Sequence, residues 1–355
     1  MAINLDLLNR GLQAASFRVQ VAAPAPRFLQ EKVFGGPDIL SKNNAEYIVY
    51  EYRKLKAGSL VEEGDFGRDP NRVNYAANFD SVVLRTAYYD LVDTISATEL
   101  DTRLFGEDFN TNKGEYQRAI QLAAEKVEAM RNSVRLHKEK LCADTLLTGK
   151  VTLKAMPDGQ SMPIALSDVT TSGASLLTAP IKTIQTAVKQ LHAINGAASP
   201  RCLLMNATDA MNLLTALKDY MDRDTWSIAQ ARLDAYDGYS VVYDGSVSIP
   251  GAGVMEIYHY DATLPLSTGA SDVIPQGTAV LLPKGFTIGS MGYARILSNQ
   301  NGLGFGVAKT APEYYETFAE GEGSHSVLKV GYQSAPLPII TSLYGYGLIS
   351  SIPSK

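Results

Sequence analysis

Cysteine is nearly absent: Cys142 and Cys202 are the only two in 355 residues. They lie far apart in different expected elements, so neither a disulfide framework nor a Cys-x-x-Cys metal site can be read. Both read as small buried apolar residues. Charge is also sparse. Charged side chains make up 19% of the chain, under the usual share of about a quarter, which leaves much neutral surface suited to stacking against neighbours. The formal net charge of -5 argues against a dedicated nucleic-acid binder, because such proteins gather Lys and Arg on one face. A container for DNA has the opposite need, since a wall that gripped phosphates would obstruct packing and release. No stretch approaches the ~18 apolar residues of a membrane span, and Met1 to Arg10 holds no long apolar core. The chain is therefore expected in a reducing cytoplasm, or in something assembled there.

Catalytic patterns are missing as well. His137, His192, His259 and His325 show no metal-ligand spacing and fall in four different expected elements. There is no Gly-x-Ser-x-Gly elbow and no His-Glu-x-x-His. Gly302, Gly304 and Gly306 precede Lys309 and Thr310, but Val307 and Ala308 intervene where a phosphate loop needs Gly beside Lys. Asp222, Asp224 and Asp234 lack calcium-loop spacing and read as a solvated helix end. The pairs Tyr88-Tyr89 and Tyr314-Tyr315 have no interleaved basic patch, so packing explains them better than base stacking. No catalytic residue, cofactor or metal ligand is expected.

What the chain does have is 45% hydrophobic residues, ample for a core, in a distinctive order. Residues 1–45 read as an arm. Asn4 to Ala15 has the pattern of a short amphipathic helix, Ala22 to Pro26 enforces extended backbone, and Phe28, Leu29, Val33 and Phe34 form an apolar patch that the arm cannot bury alone. From Glu46 the period changes to two, Ile48, Tyr50 and Tyr52 alternating with Val49, Glu51 and Arg53. A polar, glycine-bearing stretch, Lys54 to Arg72, leads to Phe79, Val82, Val83 and Leu84. The spacing predicts a long hairpin over 46–85 with a charged tip, and loops beyond about 12–15 residues need a functional reason.

A long helix is expected from Lys113 to about Leu147, with Asn112 and Glu115 at capping-box spacing and Gly149 as its stop. Ile120, Ala123, Val127, Met130, Val134, His137 and Leu141 form one apolar stripe. At ~1.5 Å per residue the rod spans about 50 Å. A coiled-coil dimer is the competing reading, disfavoured because the flanking segments are strand-like. Val151 to Leu166 reads as a second hairpin about Pro157, Asp158 and Gly159, and Thr170 to Thr178 as a linker. Then comes an α/β stretch: helices near Pro180 to Asn195 and Thr208 to Met221, and strands at Cys202 to Met205, Ser240 to Tyr243, Val254 to Tyr260 and Ala279 to Leu282. The tail returns to strands at Tyr314 to Phe318 and Ser326 to Gln333. The fold class is α+β.

This order of parts resembles the Hong Kong 97 capsid fold of tailed phages, and in more detail the lambda-type head proteins, the phage capsid protein E family. Three stretches carry the resemblance: the helix end running into strands, Leu141 to Thr152; the buried strand and helix from Cys202 to Leu214; and the terminal strand from Val327 to Ile339. The run from Gln333 to Leu337, Gln-Ser-Ala-Pro-Leu, is the most distinctive part.

The resemblance implies a major capsid protein that self-assembles into an icosahedral shell around the DNA genome of a tailed phage. It implies an N-terminal arm (1–45), an extended loop (46–85), a peripheral domain with the spine helix (86–170 and 291–355) and an axial domain (178–290) around five- and six-fold positions. Implied partners are the chain itself in pentamers and hexamers, a separate scaffolding protein, a portal, weakly contacted double-stranded DNA and no membrane, with a decoration protein left open. The implied location is the virion, assembled in the host cytoplasm, after expansion of a procapsid during packaging. An encapsulin-like bacterial compartment is the alternative, and an enzyme with a site near residues 202–244 the third reading. Contacts between copies are expected from Phe28, Leu29, Val33 and Phe34 against a neighbour's spine helix. Further contacts are expected from Arg53, Lys54, Lys56, Glu62, Glu63, Asp65, Arg68 and Arg72 on the hairpin.

Overall fold

Helix Glu115–Thr148, 34 residues long, runs through the computed structural model as its spine. The structure describes residues 25–41, 47–54, 78–101, 115–154, 156–161, 170–172, 176–195, 200–217, 240–266, 269–298, 307–309, 311–320, 327–342 and 345–350. The expected apolar stripe is real: Ala123, Val127, Met130, Val134 and Leu141 are buried. His137 is the exception. It lies exposed, its Nδ1 3.0 Å from the Ser133 carbonyl and its ring 5.4 Å from that of Tyr89.

The stripe finds its cover within the chain, which removes the need for a coiled-coil partner. Ala119, Ala123, Val127, Met130 and Val134 pack against Ile95, Leu328, Val330 and Tyr332. These come from an antiparallel sheet of Tyr314–Glu320, Val327–Ser334 and Tyr89–Ile95, in that spatial order. Further along the helix, Leu141 joins a second cluster, and Cys142, Ala143 and Leu146 enter the largest one. One helix thus threads three cores. Both cysteines are free and buried.

The largest core surrounds a mixed six-stranded sheet, ordered Thr170–Ser172, Gly347–Ser350, Thr278–Leu282, Cys202–Met205, Gly253–Tyr260, Val241–Ile249. Cys202–Met205 is central and buried throughout, as its unbroken apolar run demands. Helices Pro180–Asn195 and Ala207–Leu217 contribute Ile184, Val188, Leu191, Leu213 and Leu217 to this core. The domain boundaries expected from sequence differ here: Thr170–Ser172 is a strand of this sheet rather than a linker, and Gly347–Ser350 joins it from the far end of the chain.

A three-stranded sheet of Gly36–Leu40, Gly289–Tyr293 and Pro336–Ile340 lies beside it. Pro336–Ile340 is a strand despite Pro336 and Pro338 because it occupies a sheet edge, where missing N–H donors are tolerated. Gly289 is required by close approach: a Cβ there would come within 2.6 Å of the Phe34 ring.

Tyr47–Lys54 and Asn78–Arg85 pair in register over eight residues, Tyr47 opposite Arg85 and Lys54 opposite Asn78. This is the expected long hairpin, and among the described residues it forms a two-stranded sheet. The second hairpin is shifted from expectation. Its strands are Lys150–Leu153 and Met156–Ser161, so Pro157, Asp158 and Gly159 lie within a strand and not at the turn. Gly159, at φ 79°, accompanies a register shift between Val151 and Leu153, the left-handed glycine of a bulge.

Candidate functional site

Among the described residues, the features that stand out are the junctions where peripheral segments of the chain are fastened to its cores. The first junction is the arm. Residues Leu29–Val33 form a single π-helical turn, closed by the Phe34 N–H donating to the Leu29 carbonyl at 2.8 Å. Glu139, fully buried on the spine helix, receives the free donors of that turn. The Leu29 and Gln30 backbone N–H groups lie 2.8 and 3.2 Å from its carboxylate, the Gln30 side-chain amide 3.3 Å, and the Tyr260 hydroxyl 2.7 Å. Burial pushes the Glu139 carboxyl up, although all these hydrogen bonds act to lower it. One side chain thereby ties together the arm, the spine and the six-stranded sheet.

This arrangement corrects the expectation for the arm's apolar patch. Phe28, Leu29, Val33 and Phe34 are buried in the chain's own core, and the Phe28 ring packs 5.4 Å from both Tyr260 and Phe286. Each fully buried large side chain contributes about 1.5–3 kcal/mol. Four of them hold the turn against its own spine helix rather than leaving it for a neighbour's.

The second junction is the root of the long hairpin. Ile48 and Leu84 are buried with Leu141, Val151, Leu153, Leu337 and Ile339. Gln160 closes the outer side of the root: its side-chain carbonyl accepts from the Arg85 N–H at 2.7 Å, and its amide donates to the Arg85 carbonyl at 3.3 Å. Of the hairpin residues expected to meet neighbours, Arg53 and Lys54 fall on the Tyr47–Lys54 strand. Lys56, Glu62, Glu63, Asp65, Arg68 and Arg72 lie outside the described residues, as do His325, Asp222, Asp224, Asp234 and the capping residue Asn112.

The third feature is apolar exposure on two strands that belong to different sheets. Val92 on Tyr89–Ile95 is 52% exposed, and Val83 on the hairpin 59%, so two strands consecutive in sequence each present an apolar side chain to solvent. Partly buried charges that sequence reasoning missed lie between the spine and the sheet that holds Tyr89–Ile95. Arg131 meets Glu128 at 2.8 Å and Glu313 at 2.9 Å, and the Tyr332 hydroxyl donates to Glu313 at 2.8 Å. Lys138 is buried with its ammonium 5.1 Å from the Tyr293 ring centroid. Burial lowers its pKa against the pull of Glu313. Burial alone pushes the Tyr89 hydroxyl up to about 12.

Chemically equipped groups are few. His259 Nδ1 lies 2.8 Å from Asp244, and that hydrogen bond raises the imidazole above its ordinary value. The two meet because Val241–Ile249 and Gly253–Tyr260 pair as antiparallel neighbours, a hairpin whose first strand sequence reasoning read as ending at Tyr243. The pair is a cross-strand hydrogen bond, and an ion pair only when the imidazole is protonated. Among the described residues no three His, Cys, Asp or Glu side chains cluster as metal ligands, and no helix is long and apolar enough to cross a membrane.

A candidate capsid protein of an Escherichia coli CFT073 prophage superposes with a TM-score of 0.57 at 15% identity, covering 99% of each chain. A Mycobacterium phage Che8 chain gives 0.46 at 14% identity over 95% of each. The SrpI encapsulin of Synechococcus elongatus PCC 7942 gives 0.43 at 9% identity, over 99% of this chain and 96% of that one. No curated protein matches. The sequence profile of the phage major capsid protein E family matches residues 68–343, from the hairpin through the last strand of the three-stranded sheet. With the Hong Kong 97-like architecture of spine helix, three-stranded sheets and six-stranded unit, that match places the chain in the phage major capsid protein E family, as the shell protein of a phage head.

Proposed function

We propose that the long hairpin is the principal arm by which one copy holds the next in an icosahedral shell. The observation that carries this reading is the hairpin itself: a ribbon with a buried root and, among the described residues, no third strand. Isolated two-stranded ribbons are marginal in water, so a neighbouring copy is the natural support. The charged residues expected at its tip, Glu62, Glu63, Asp65, Arg68 and Arg72, then meet charges on an adjacent subunit. Single exposed ion pairs contribute only about 0–1 kcal/mol, so repetition around the shell and buried apolar area hold it closed, and misplaced copies dissociate.

In this reading the six-stranded unit surrounds the five- and six-fold positions of pentamers and hexamers, and the three-stranded sheets with the spine form the periphery. The chain does no catalysis. Assembly takes place in the host cytoplasm with a separate scaffolding protein and a portal, followed by expansion as DNA enters. The chain's net charge of -5 suits an inner wall that touches DNA weakly and without sequence preference. The test is deletion of Gly58 to Asn71. The shortened protein should be soluble and folded yet form no shells by electron microscopy, in contrast to the full chain; normal shells from the deletion would refute the hairpin's role.

A further inference from the structure

Gln160 does what a neighbouring strand would do. Its side-chain amide both accepts from and donates to the backbone of one residue, Arg85, at 2.7 and 3.3 Å. Arg85 is the last residue of the hairpin's returning strand. Gln160 is itself buried, at 9% exposure, on Met156–Ser161, the second strand of the short hairpin that directly follows the spine helix. The bulge at Gly159 sets that strand's register, so that Gln160 stands opposite Val151.

The apolar root of the long hairpin cannot fix its angle alone. Contacts of Ile48 and Leu84 with Val151, Leu153 and Leu337 are non-directional and by themselves let a ribbon pivot at little cost. Past the strand's end the Ala87 N–H donates to the Pro336 carbonyl at 3.2 Å, which fastens the chain after the hairpin and not the strand itself. Two hydrogen bonds to the backbone of one residue, Arg85, are directional and resist that pivot. Leverage makes the angle consequential: eight residues of strand reach about 26 Å, so a rotation of roughly 10° at the root displaces the far end by about 4–5 Å. That exceeds what hydrogen bonds or packed side chains across an interface tolerate.

We infer that Gln160 is the positioning residue that sets the angle of the long hairpin against the body, and thereby where the hairpin meets the next copy. The inference rests on the proposed role of the hairpin in assembly. Gln160 holds a folded element in place and is not needed to fold it, since the hairpin's own ladder and its buried root remain without it.

Two variants grade the effect. Gln160→Leu removes both hydrogen bonds while keeping an apolar side chain in the site; Gln160→Glu keeps an acceptor for the Arg85 N–H and loses the donor. Nitroxide labels at S81C and A129C, on the hairpin and the spine helix, report the angle as a distance distribution in the dissociated subunit, and electron microscopy reports the assembled product. The expected result is a narrow distribution in the wild-type background, a broad one with Gln160→Leu, and an intermediate one with Gln160→Glu. Closed shells should give way to open or irregular sheets in the same order, while the circular dichroism of the subunit stays at wild-type values and its melting temperature falls only by the modest cost of two lost hydrogen bonds. Identical distance distributions overturn the inference, and so do wild-type shells from Gln160→Leu. A Gln160→Leu subunit that does not fold assigns Gln160 to stability and also overturns it. If the unsubstituted chain forms no shells, it is the hairpin's role in assembly that fails; the distance distributions still decide whether Gln160 sets the angle.

Discussion

Arg131 on the spine helix and Glu313, 182 positions later, meet in a two-pronged ion pair, Nη2 to Oε1 at 2.9 Å and Nε to Oε2 at 3.3 Å. The geometry is the fork-on-fork contact that arginine makes with a carboxylate. Tyr332 adds a third hydrogen bond to the same carboxylate, and the Arg131 guanidinium lies 5.8 Å from the Tyr315 ring centroid. The spine and the sheet of Tyr314–Glu320, Val327–Ser334 and Tyr89–Ile95 are therefore fastened by charge as well as by the apolar stripe.

The first prediction concerns acid. Burial raises the Glu313 carboxyl, but Arg131 and the Tyr332 hydroxyl outweigh it and hold the group below its ordinary value of 4.5. A lowered carboxylate adds stability that is present above the ordinary value and lost as pH falls through the lowered one. Glu313→Gln should then destabilise the subunit near neutral pH by about 1–3 kcal/mol, the partial exposure of Glu313 keeping it from the larger cost of a fully buried pair. Urea denaturation should show that deficit narrowing below about pH 4. A deficit that stays constant across the range would mean that the pair does not contribute through its charge.

Glu139 predicts the opposite drift. Its carboxyl is raised by burial, so its contribution is fully present below the ordinary value of 4.5 and is lost as pH climbs through the raised one. Glu139→Gln, which does not titrate, should gain on the wild type in denaturation midpoint as pH rises, whereas Glu313→Gln falls further behind. Glu139→Ala is the harsher change. It leaves the Leu29 and Gln30 N–H groups and the Tyr260 hydroxyl without their acceptor, a loss of about 3–5 kcal/mol. Amide exchange at Leu29 and Gln30 should accelerate with it, and unaltered protection at those two sites would disprove the capping role.

How much of this was legible in the sequence depended on the range of the interaction. The spine helix, the long hairpin and Cys202–Met205 were legible because their periods and apolar runs are local properties. The arm turn was legible only as an apolar patch, since its acceptor, Glu139, lies 110 positions away and nothing local marks a carboxylate as buried. Arg131 and Glu313 were hidden for the same reason. The terminal strand read from Val327 to Ile339 is in fact two, Val327–Ser334 and Pro336–Ile340, in different sheets; that division was hidden because the sheet each half joins is set by distant partners. One local signal was there to be read and was not: Ser96 and Glu99 form a capping box, each side chain bonded to the other's backbone N–H, at the start of Ala97–Asp101.

The last prediction separates a core residue from an interface residue. Were Phe28 and Phe34 reserved for a neighbouring copy, truncating them would spare the dissociated subunit and impair only assembly. Their burial against Tyr260, Phe286 and Gly289 requires the reverse. Phe28→Ala and Phe34→Ala should each cost the dissociated subunit about 3–5 kcal/mol, the range for emptying a buried aromatic site. Gly289→Ala should destabilise it too, because the added methyl meets both the Phe34 ring and the Ile339 carbonyl, and the backbone oxygen cannot move aside as a flexible side chain can. Measuring all three on material kept below the concentration for shell formation removes any contribution from neighbours. Wild-type denaturation curves under those conditions would return the apolar patch of residues 28–34 to the contacts between copies.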